Sequence, residues 1–406
     1  MSERFDVAIV GGGMVGASLA VALAPLGLHI ALIEAYAVDA TAQPSFDERT
    51  TALSNGSRRI LETLKVWDRA AGAATPIAKI HVSDQGRFGF ARIDAREQGL
   101  AAMGYVLPNR SLGEALWRRL QECRSVRTFC PAKVSHVLPG ASAAVLEVNS
   151  ADGAVTGIEA RLVVAADGVH SAVRQAFGIP AESRDYGQTA VIATVLPQRF
   201  HEHVAYERFT EMGPLALLPL GSGRCTLVLT LKSALADEAM RWTEPEFLAE
   251  VQQRFGFRLG RFLKVGKRVA YPLALTCSAR TSAPGCVIVG NAAQGLHPVA
   301  GMGFNLGLRD AACLAELLEG SDCADARLLE AYDAWRAEDR RAIIAFTDGL
   351  VRVFASPLGG VRRLRNLALL TFDLLPPAKA ALSSLSTGAA GKIPKLARGV
   401  ALAARS

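Results

Sequence analysis

The first residues with a chemical signature are three glycines near the start of the chain. Gly11, Gly13 and Gly16 have the spacing G-x-G-x-x-G and follow the apolar run FDVAIV. Glycine has no side chain, so it tolerates tight turns and lets a bound group approach the main chain. Between a β-strand and a helix, such a turn offers free N–H groups to phosphates. The spacing therefore predicts a site for a dinucleotide pyrophosphate.

An acidic residue supports this prediction. Glu34 ends the apolar run HIALIE, about 20 residues after the glycines, and a small-residue segment with helical spacing (14–26) lies between them. A carboxylate at this position would accept hydrogen bonds from the ribose hydroxyls of adenosine, which favours a 2′-hydroxyl over a 2′-phosphate. The order strand, turn, helix, strand indicates a Rossmann-like unit.

Two later segments repeat the strand–turn–helix pattern. The stretch GNAAQGLHPVAGMGFNLGLRD (290–310) contains five glycines, follows the buried-strand pattern CVIV and precedes a helical pattern over 304–318. Asp167 and Gly168 also follow an apolar run and precede a helix from about Ser171. Ligands of α/β proteins bind at such carboxyl ends of strands. Asp167 is therefore a candidate ligand contact, and a plain β-turn at Asp167-Gly168 is the alternative.

Composition excludes several classes of protein. Half of the 406 residues are hydrophobic, which is typical of a globular protein. The seven cysteines are scattered without a C-x-x-C pair, so we expect reduced thiols and neither a disulfide framework nor a metal site. A secretory signal and an apolar run of about 18 residues are both absent from the sequence, which predicts a cytoplasmic protein.

Positive charge is concentrated at the end of the chain. Residues 361–406 contain eight basic residues and one acid, and their net charge of +7 equals that of the whole chain. Apolar residues at helical spacing accompany them, a mixture that suits an anionic membrane surface or a partner helix. The alternative is that the apolar positions pack on the FAD-binding domain or on a second subunit and the charges are solvated. Nucleic-acid binding is not expected, because residues 1–360 balance in charge.

Together, the three glycine-marked segments resemble the FAD-dependent aromatic hydroxylases of the p-hydroxybenzoate hydroxylase type. The resemblance covers nearly the whole chain and is most evident over 5–60, 160–178 and 270–312. Within that family the chain is similar to the ubiquinone-biosynthesis branch, in the stretches FDERTTALS, DYGQTAVIATV, ERFTEMGPLALLPL, YPLAL and HPVAGMGFNLGLRD. YPLAL and GNAAQ resemble the hydroxylases that act on 2-polyprenyl-6-methoxyphenol.

The resemblance implies the fold class. It is α/β, with a Rossmann-like FAD-binding domain, an inserted and mostly antiparallel β-sheet substrate domain, and a helical C-terminal region. Short alternating apolar runs over 181–275 agree with the antiparallel sheet. The expected boundaries are 1–75, 101–180 and 276–340 for the FAD-binding domain, 76–100 and 181–275 for the substrate domain, and 341–406 for the basic helical region.

The resemblance also implies how FAD is bound. Besides the first three glycines and Glu34, Arg49 would reach the pyrophosphate, Arg110 the ribityl or phosphate region, and the Val134 main chain the adenine. Asp167 would join the network on the flavin side. The expected contacts of the ribityl chain and the flavin ring are Gly290, Asn291, Gly301, Gly303, Phe304 and Asn305. Where the wider family has Gly-Asp, this chain has Gly290-Asn291, which keeps an acceptor oxygen but loses the charge.

The implied reaction is ring hydroxylation of a hydrophobic phenol. Reduced FAD would react with O2 to give a flavin hydroperoxide, and NAD(P)H or a separate reductase would supply the electrons. Pro298 would lie against the flavin ring, and a loop-fixing hydrogen bond is expected for His297. Candidates for the substrate side, with sheet packing as the alternative, are Tyr206, Arg208, Leu217 and Pro219. The sequence identifies no general base.

The expected partners and location follow from the substrate. A long-tailed phenol is nearly insoluble in water, so we expect a cytoplasmic protein held peripherally at the inner membrane surface, or within a multi-enzyme complex. Three alternatives remain: an aromatic hydroxylase for a different phenol, an FAD enzyme that does not hydroxylate, and a non-catalytic flavoprotein scaffold. Flavin-dependent halogenases usually carry W-x-W-x-I-P, which this sequence lacks.

Overall fold

The computed structural model describes residues 2–37, 49–87, 89–296, 301–355 and 391–403. Within these ranges the chain forms three β-sheets with helices packed against them. The predicted α/β class, with a largely parallel central sheet and a second antiparallel sheet, is confirmed. No helix in the described ranges is both long and apolar enough to cross a lipid bilayer.

The first sheet has the strand order β18-β19-β11-β1-β2-β8, in which β19, β11, β1, β2 and β8 are parallel and β18 is antiparallel to β19. Strand β10 pairs with β11, and β9 pairs with β10, both antiparallel. Its strands are β1 Glu3–Val10, β2 Ile30–Ile33, β8 Val126–Phe129, β9 Ala132–Leu138, β10 Ala144–Ser150, β11 Val155–Ala165, β18 Ser282–Ala283 and β19 Cys286–Ile288. Their apolar runs are continuous because both faces of the parallel part are covered. On β1, Ile9 packs with helices on one face, and Ala8 packs with β10 on the other.

The second sheet is mostly antiparallel, in the order β20-β17-β12-β15-β14-β13-β5-β6, with β16 beside β12. Its strands are β5 Lys79–Asp84, β6 Phe90–Asp94, β12 Ala181–Pro197, β13 Val204–Thr210, β14 Gly213–Pro219, β15 Cys225–Lys232, β16 Phe262–Val265, β17 Val269–Ser278 and β20 Gln294–Gly295. The strands from the 76–100 segment join this sheet through a parallel pairing of β5 with β13. A third, small sheet connects the two larger ones, and it consists of β3 Thr50–Ser54, β7 Gly104–Pro108 and β4 Thr75–Ile77.

The helices divide between the two domains. They are α1 Met14–Leu23, α2 Asn55–Thr63, α3 Trp67–Ala70, α4 Asn109–Leu120, α5 Ala172–Ala176, α6 Ser233–Ala239, α7 Glu244–Phe255, α8 Met302–Leu318 and α9 Ala326–Ala355. The first sheet and α1, α4 and α8 enclose the largest apolar core. A separate core lies between the second sheet and the helices α6 and α7. The sequence patterns did not predict these two helices.

The end of the chain differs in part from the predicted helical region. Helix α9 extends to Ala355, but residues 391–403 form only one short helical turn, Lys395–Arg398. The side chains of Leu396 and Leu402 are buried in the core of the FAD-binding domain. Lys395 Nζ lies 2.7 Å from Glu319 Oε2 of α8. This part of the tail therefore packs on the protein, which was the alternative at the sequence level, and residues 356–390 lie outside the described ranges.

Candidate active site

The turn between β1 and α1 has the geometry of a phosphate-binding loop. Gly11 has a φ of 105°, and an added Cβ would lie 2.4 Å from the carbonyl oxygen of Ala166. At Gly16 the Cβ would lie 1.9 Å from the Gly11 oxygen, so only glycine allows the helix to pack this close to the turn. Helix α1 begins at Met14, and the preceding residue, Gly13, provides no side-chain cap. Its first N–H groups are therefore available to an anion.

Glu34 lies at the end of β2, beside this turn. The Gly12 N–H donates to Glu34 Oε2 at 2.7 Å, and the Tyr36 N–H donates to Oε1 at 2.9 Å. Burial raises the pKa of Glu34, and these two hydrogen bonds oppose the shift. The Ala132 N–H donates to the Glu34 main-chain oxygen at 2.7 Å, which brings the start of β9, with Val134, to the same edge. Each carboxylate oxygen keeps a lone pair for a ribose hydroxyl.

Asp167 follows β11 and lies next to Gly11. Its Oδ2 accepts a hydrogen bond from the Val173 N–H at 3.3 Å, at the start of α5. Its Oδ1 is buried and has no hydrogen-bond partner among the residues that the structure describes. Burial raises the pKa of this carboxyl group. Because buried polar atoms in native proteins almost always have partners, this oxygen is a candidate acceptor for a bound ligand.

The Gly290 turn is held from behind by two charged residues that the sequence patterns did not identify. Asp310 Oδ2 accepts hydrogen bonds from the Gly290 N–H at 3.0 Å and from Gln294 Nε2 at 2.8 Å. Arg174 donates to the Ala292 carbonyl oxygen at 2.8 Å. Asn291 is exposed at the tip of the turn. The exposed amide is therefore free to meet a ligand, while its neighbours anchor the turn.

The start of α8 lies against β3. Gly301 precedes the helix in a left-handed conformation and provides no side-chain cap. Asn305 Oδ1 accepts from the Ser54 N–H, and its Nδ2 donates to the oxygens of Ala52 and Gly301, each at 2.8 Å. Both N–H groups and one lone pair of the Asn305 side chain are therefore used in joining the loop to β3, and its expected contact with the cofactor falls to its main chain.

Two further predicted flavin contacts, Gly303 and Phe304, lie in the first turn of α8. Gly303 lies inside α8, and an added Cβ would meet no atom within 4 Å, so this glycine leaves open space and needs no unusual backbone angle. Phe304 is partly buried against the core of the FAD-binding domain. His297 and Pro298 lie outside the described residues, so their roles stay predictions.

The two candidate arginines lie close together in the fold. The Asn109 N–H donates to the Arg49 carbonyl oxygen at 2.9 Å, which joins the start of β3 to the start of α4. Arg110 follows in the first turn of α4 and is exposed. The Arg49 guanidinium carbon lies 4.7 Å from the centre of the Tyr271 ring, in the second sheet. The arginines therefore lie where the two domains meet.

The predicted substrate contacts lie on the face of the second sheet that packs against α6 and α7. Tyr206 and Leu217 are buried in the core beneath α6 and α7. Arg208 and Pro219 share that face by strand alternation. This placement does not support a substrate role for any of the four. Glu207, which the sequence patterns did not identify, lies on the opposite face of β13. The alternation of side chains along this strand could have identified it as a residue that faces away from α6 and α7.

The residues present fit FAD. The uncapped starts of α1 and α8 can receive a pyrophosphate and the electron-rich edge of a flavin. Glu34 can receive the ribose, and the unpartnered Asp167 Oδ1 can accept a ligand hydroxyl. Val15 of α1 packs against both Gly290 and Gly307, which brings the two helix starts together.

Comparison with known proteins identifies similar chains. The model of the family described as FAD binding domain matches residues 4–347. Ubiquinone hydroxylase UbiL of Rhodospirillum rubrum is 37% identical, over 98% of this chain and 93% of that protein. The 3-demethoxyubiquinol 3-hydroxylase of Escherichia coli is 31% identical, over 92% of this chain and 95% of that protein. The structure of p-nitrophenol 4-monooxygenase PnpA from Pseudomonas putida DLL-E4 supports the fold, with a TM-score of 0.78 at 18% identity over 95% of this chain and 99% of that chain.

Proposed function

The chain belongs to the FAD-dependent aromatic-ring hydroxylases of the ubiquinone-hydroxylase branch, and from this premise we propose that it hydroxylates the ring of 2-polyprenyl-6-methoxyphenol in ubiquinone biosynthesis. The observation that carries the choice of a hydrophobic phenol is a row of half-buried apolar side chains on the second sheet, which includes Ile192, Ala216 and Val228. This row lies on the sheet face that contacts β3 of the FAD-binding domain. An apolar surface beside the cofactor turns suits a prenylated ring.

The residues of this chain would bind and orient the reactants. FAD, when bound and reduced, supplies the chemistry that activates O2 for transfer of one oxygen atom to the ring. The N–H groups at the start of α1 would hold the pyrophosphate, and Glu34 would hold the ribose. The start of α8 would place its positive end at the pyrimidine edge of the flavin, where reduction adds negative charge. The second sheet would cover the flavin and exclude water.

The electron donor is NAD(P)H or a separate reductase, and O2 is the co-substrate. The sequence holds one G-x-G-x-x-G in the strand–turn–helix context, at Gly11 to Gly16. A nicotinamide cofactor would therefore bind without a Rossmann unit of its own. The rate of flavin bleaching under anaerobic conditions by NADH, by NADPH or by a reductase fraction separates these donors.

Product analysis tests the proposed function. The FAD-bound protein is reduced anaerobically and mixed with ¹⁸O2 and 2-polyprenyl-6-methoxyphenol of defined tail length. A product with one added ¹⁸O atom, identified by mass spectrometry, is the expected result. A demethoxyubiquinol and p-nitrophenol serve as comparison substrates. Greater product from either would assign a different phenol, and peroxide without any hydroxylated product would contradict the proposal.

We also propose that the C-terminal region holds the protein at an anionic membrane surface. Lys395 is paired with Glu319, and the Lys392 ammonium lies 4.0 Å from the centre of the Trp335 ring, so these two charges are already used within the fold. The basic residues of the 361–390 segment carry the proposal instead; they are Arg362, Arg363, Arg365 and Lys379. Each can contribute about 1 kcal/mol near an anionic bilayer.

Liposome co-sedimentation tests this membrane contact. Replacing those four residues with Gln is expected to abolish binding to anionic vesicles at low salt, and neutral vesicles should bind neither form. Lys264→Gln with Lys267→Gln, at exposed positions of the second domain, is the matched control. Unchanged binding by the fourfold variant would contradict the proposal. Loss of co-purifying proteins without loss of vesicle binding would favour a partner protein.

A further inference from the structure

Strand alternation assigns the two faces of the second sheet. On β13, Tyr206 and Arg208 share one face and Glu207 the other. The Tyr206 ring packs against Phe255 of α7, with 5.3 Å between ring centres. Arg208 Nε donates to the main-chain oxygen of Arg254, also on α7, at 2.9 Å. Glu207 therefore faces away from the helices of its own domain.

The face that carries Glu207 is the one in contact with the FAD-binding domain. Thr50 Oγ1 of β3 donates to Thr226 Oγ1 of β15 at 3.0 Å. The Arg49 guanidinium lies over the Tyr271 ring of β17. The strand register places Thr226 and Tyr271 on the same face as Glu207. The two contacts therefore connect this face to β3 and to the residue before it, and β3 also supports the start of α8.

Glu207 is the single charged member of an otherwise apolar row. Its cross-strand neighbours are Val82 on β5 and Ala216 on β14, and the row continues through Val228 and Ile192. All five residues are half-buried. The row thus combines an apolar surface for an aromatic ring with one group that can accept a proton.

The Glu207 carboxylate is unpartnered. Among the residues that the structure describes, none places a hydrogen-bond donor or a cation at bonding distance from it. Burial raises the pKa of Glu207 to about 7. The side chain is half-buried, and a ligand hydroxyl that covered the carboxylate would supply a hydrogen-bond donor to it. A base with a pKa near the working pH is also the most efficient in proton transfer.

On the basis of the proposed function, we propose that Glu207 is a catalytic residue that takes the phenolic proton of the substrate. The phenol O–H bond breaks, the proton moves to a carboxylate oxygen of Glu207, and the electron pair stays on the phenolate oxygen. Delocalisation of that pair enriches the ring carbons at which oxygen is inserted. Glu207 returns the proton when the hydroxylated product leaves as a neutral phenol.

The test uses FAD-bound wild type, Glu207→Gln and Glu207→Asp, with Glu182→Gln as an exposed control on β12 of the same sheet. The probe is 2-prenyl-6-methoxyphenol, which carries a single prenyl unit. The ultraviolet difference spectrum of the bound probe distinguishes phenol from phenolate without turnover. Product yield and rate are then measured in single turnovers after anaerobic reduction, which makes the result independent of the electron donor.

We expect wild type and Glu182→Gln to bind the phenolate. Glu207→Gln should keep its FAD, bind the neutral phenol, and lose about 10²–10⁴-fold in the hydroxylation rate. A ring-fluorinated probe, which is more acidic, should recover part of that loss, and Glu207→Asp should retain more activity than Glu207→Gln.

A phenolate spectrum and a rate within twofold of wild type in Glu207→Gln would overturn the assignment. Equal losses in the Gln and Asp variants would give Glu207 a packing role and overturn it as well. If wild type hydroxylates no prenylated phenol, the proposed function itself fails, and this assignment fails with it.

Discussion

Arg336 of α9 and Asp310 of α8 form an ion pair that is closed to solvent. Arg336 Nε lies 2.7 Å from Asp310 Oδ1, and the exposed fractions of the two side chains are 0% and 1%. The second oxygen of Asp310 accepts the Gly290 N–H. The ion pair therefore connects α9 to the turn that we assign to the ribityl chain of FAD.

Removal of one partner should be severe. Arg336→Met leaves Asp310 as an unpaired buried acid, and we expect a loss of about 3–5 kcal/mol in the free energy of unfolding. Urea unfolding at saturating FAD measures this loss in the free energy of unfolding. Arg341→Met, at an exposed position of the same helix, is the control and should change stability by about 0.5 kcal/mol or less. Equal stability of the two variants would refute the importance of the pair.

The close approach of α1 to its preceding turn predicts loss of cofactor in Gly16→Ala. The new methyl group would overlap the Gly11 oxygen and push the helix start away from the pyrophosphate. We expect a colourless protein after gel filtration, with an FAD content below about a tenth of wild type. The exposed Gly72, where an added Cβ meets no atom within 4 Å, provides the control Gly72→Ala. A yellow Gly16→Ala protein would place the phosphates elsewhere.

Asn305→Ala tests the joint between β3 and α8. The variant leaves the Ser54 N–H and the Ala52 oxygen without their partners, each loss costing about 1–3 kcal/mol. Since the joint orients the start of α8, FAD affinity should fall by on the order of tenfold or more. Equilibrium dialysis measures the affinity. Asn149→Ala, at an exposed position of β10, should bind FAD as wild type does.

The raised pKa of Glu207 predicts a pH dependence of stability. Burial raises the pKa of the Glu207 carboxyl group from 4.5 to about 7. The contribution of this group to the free energy of unfolding is therefore complete below the unfolded-state pKa of 4.5 and is lost as the pH rises through 7. Relative to wild type, Glu207→Gln should therefore gain roughly 2 kcal/mol between pH 5 and pH 8. Parallel urea titrations at the two pH values check this. A constant difference would mean that Glu207 stays ionised, or stays neutral, throughout the range.

The packing of the tail predicts a stability effect far from the flavin. Leu396 is 2% exposed in the core formed with α2 and α8. Leu396→Ala should lower the free energy of unfolding by about 2–5 kcal/mol. Val400→Ala, at an exposed position of the same segment, should change it little. Thermal unfolding with FAD present compares them. If both variants unfold like wild type, residues 391–403 do not contribute to the core.

The glycine turns were predictable because their signal is local. Gly11, Gly13 and Gly16 are spaced by the geometry of one strand, one turn and one helix, and neighbouring residues alone encode that geometry. The alternation of β13 and the continuous apolar run of β1 likewise report how each strand is buried. The α/β class and the antiparallel sheet could be predicted from such patterns. The resemblance to aromatic hydroxylases depended on the same segments.

The partners of the charged side chains were decided only by the tertiary structure. Arg174 bonds to Ala292, 118 positions away along the chain, and Asp310 pairs with Arg336 on another helix. No local pattern specifies such a pair, because it depends on how separate elements pack. The face of β13 that meets the FAD-binding domain depends in the same way on contacts of β3 with distant strands. The sequence alone could thus show that Tyr206 and Glu207 lie on opposite faces, and packing between the domains determined that Glu207 is on the face in contact with the FAD-binding domain.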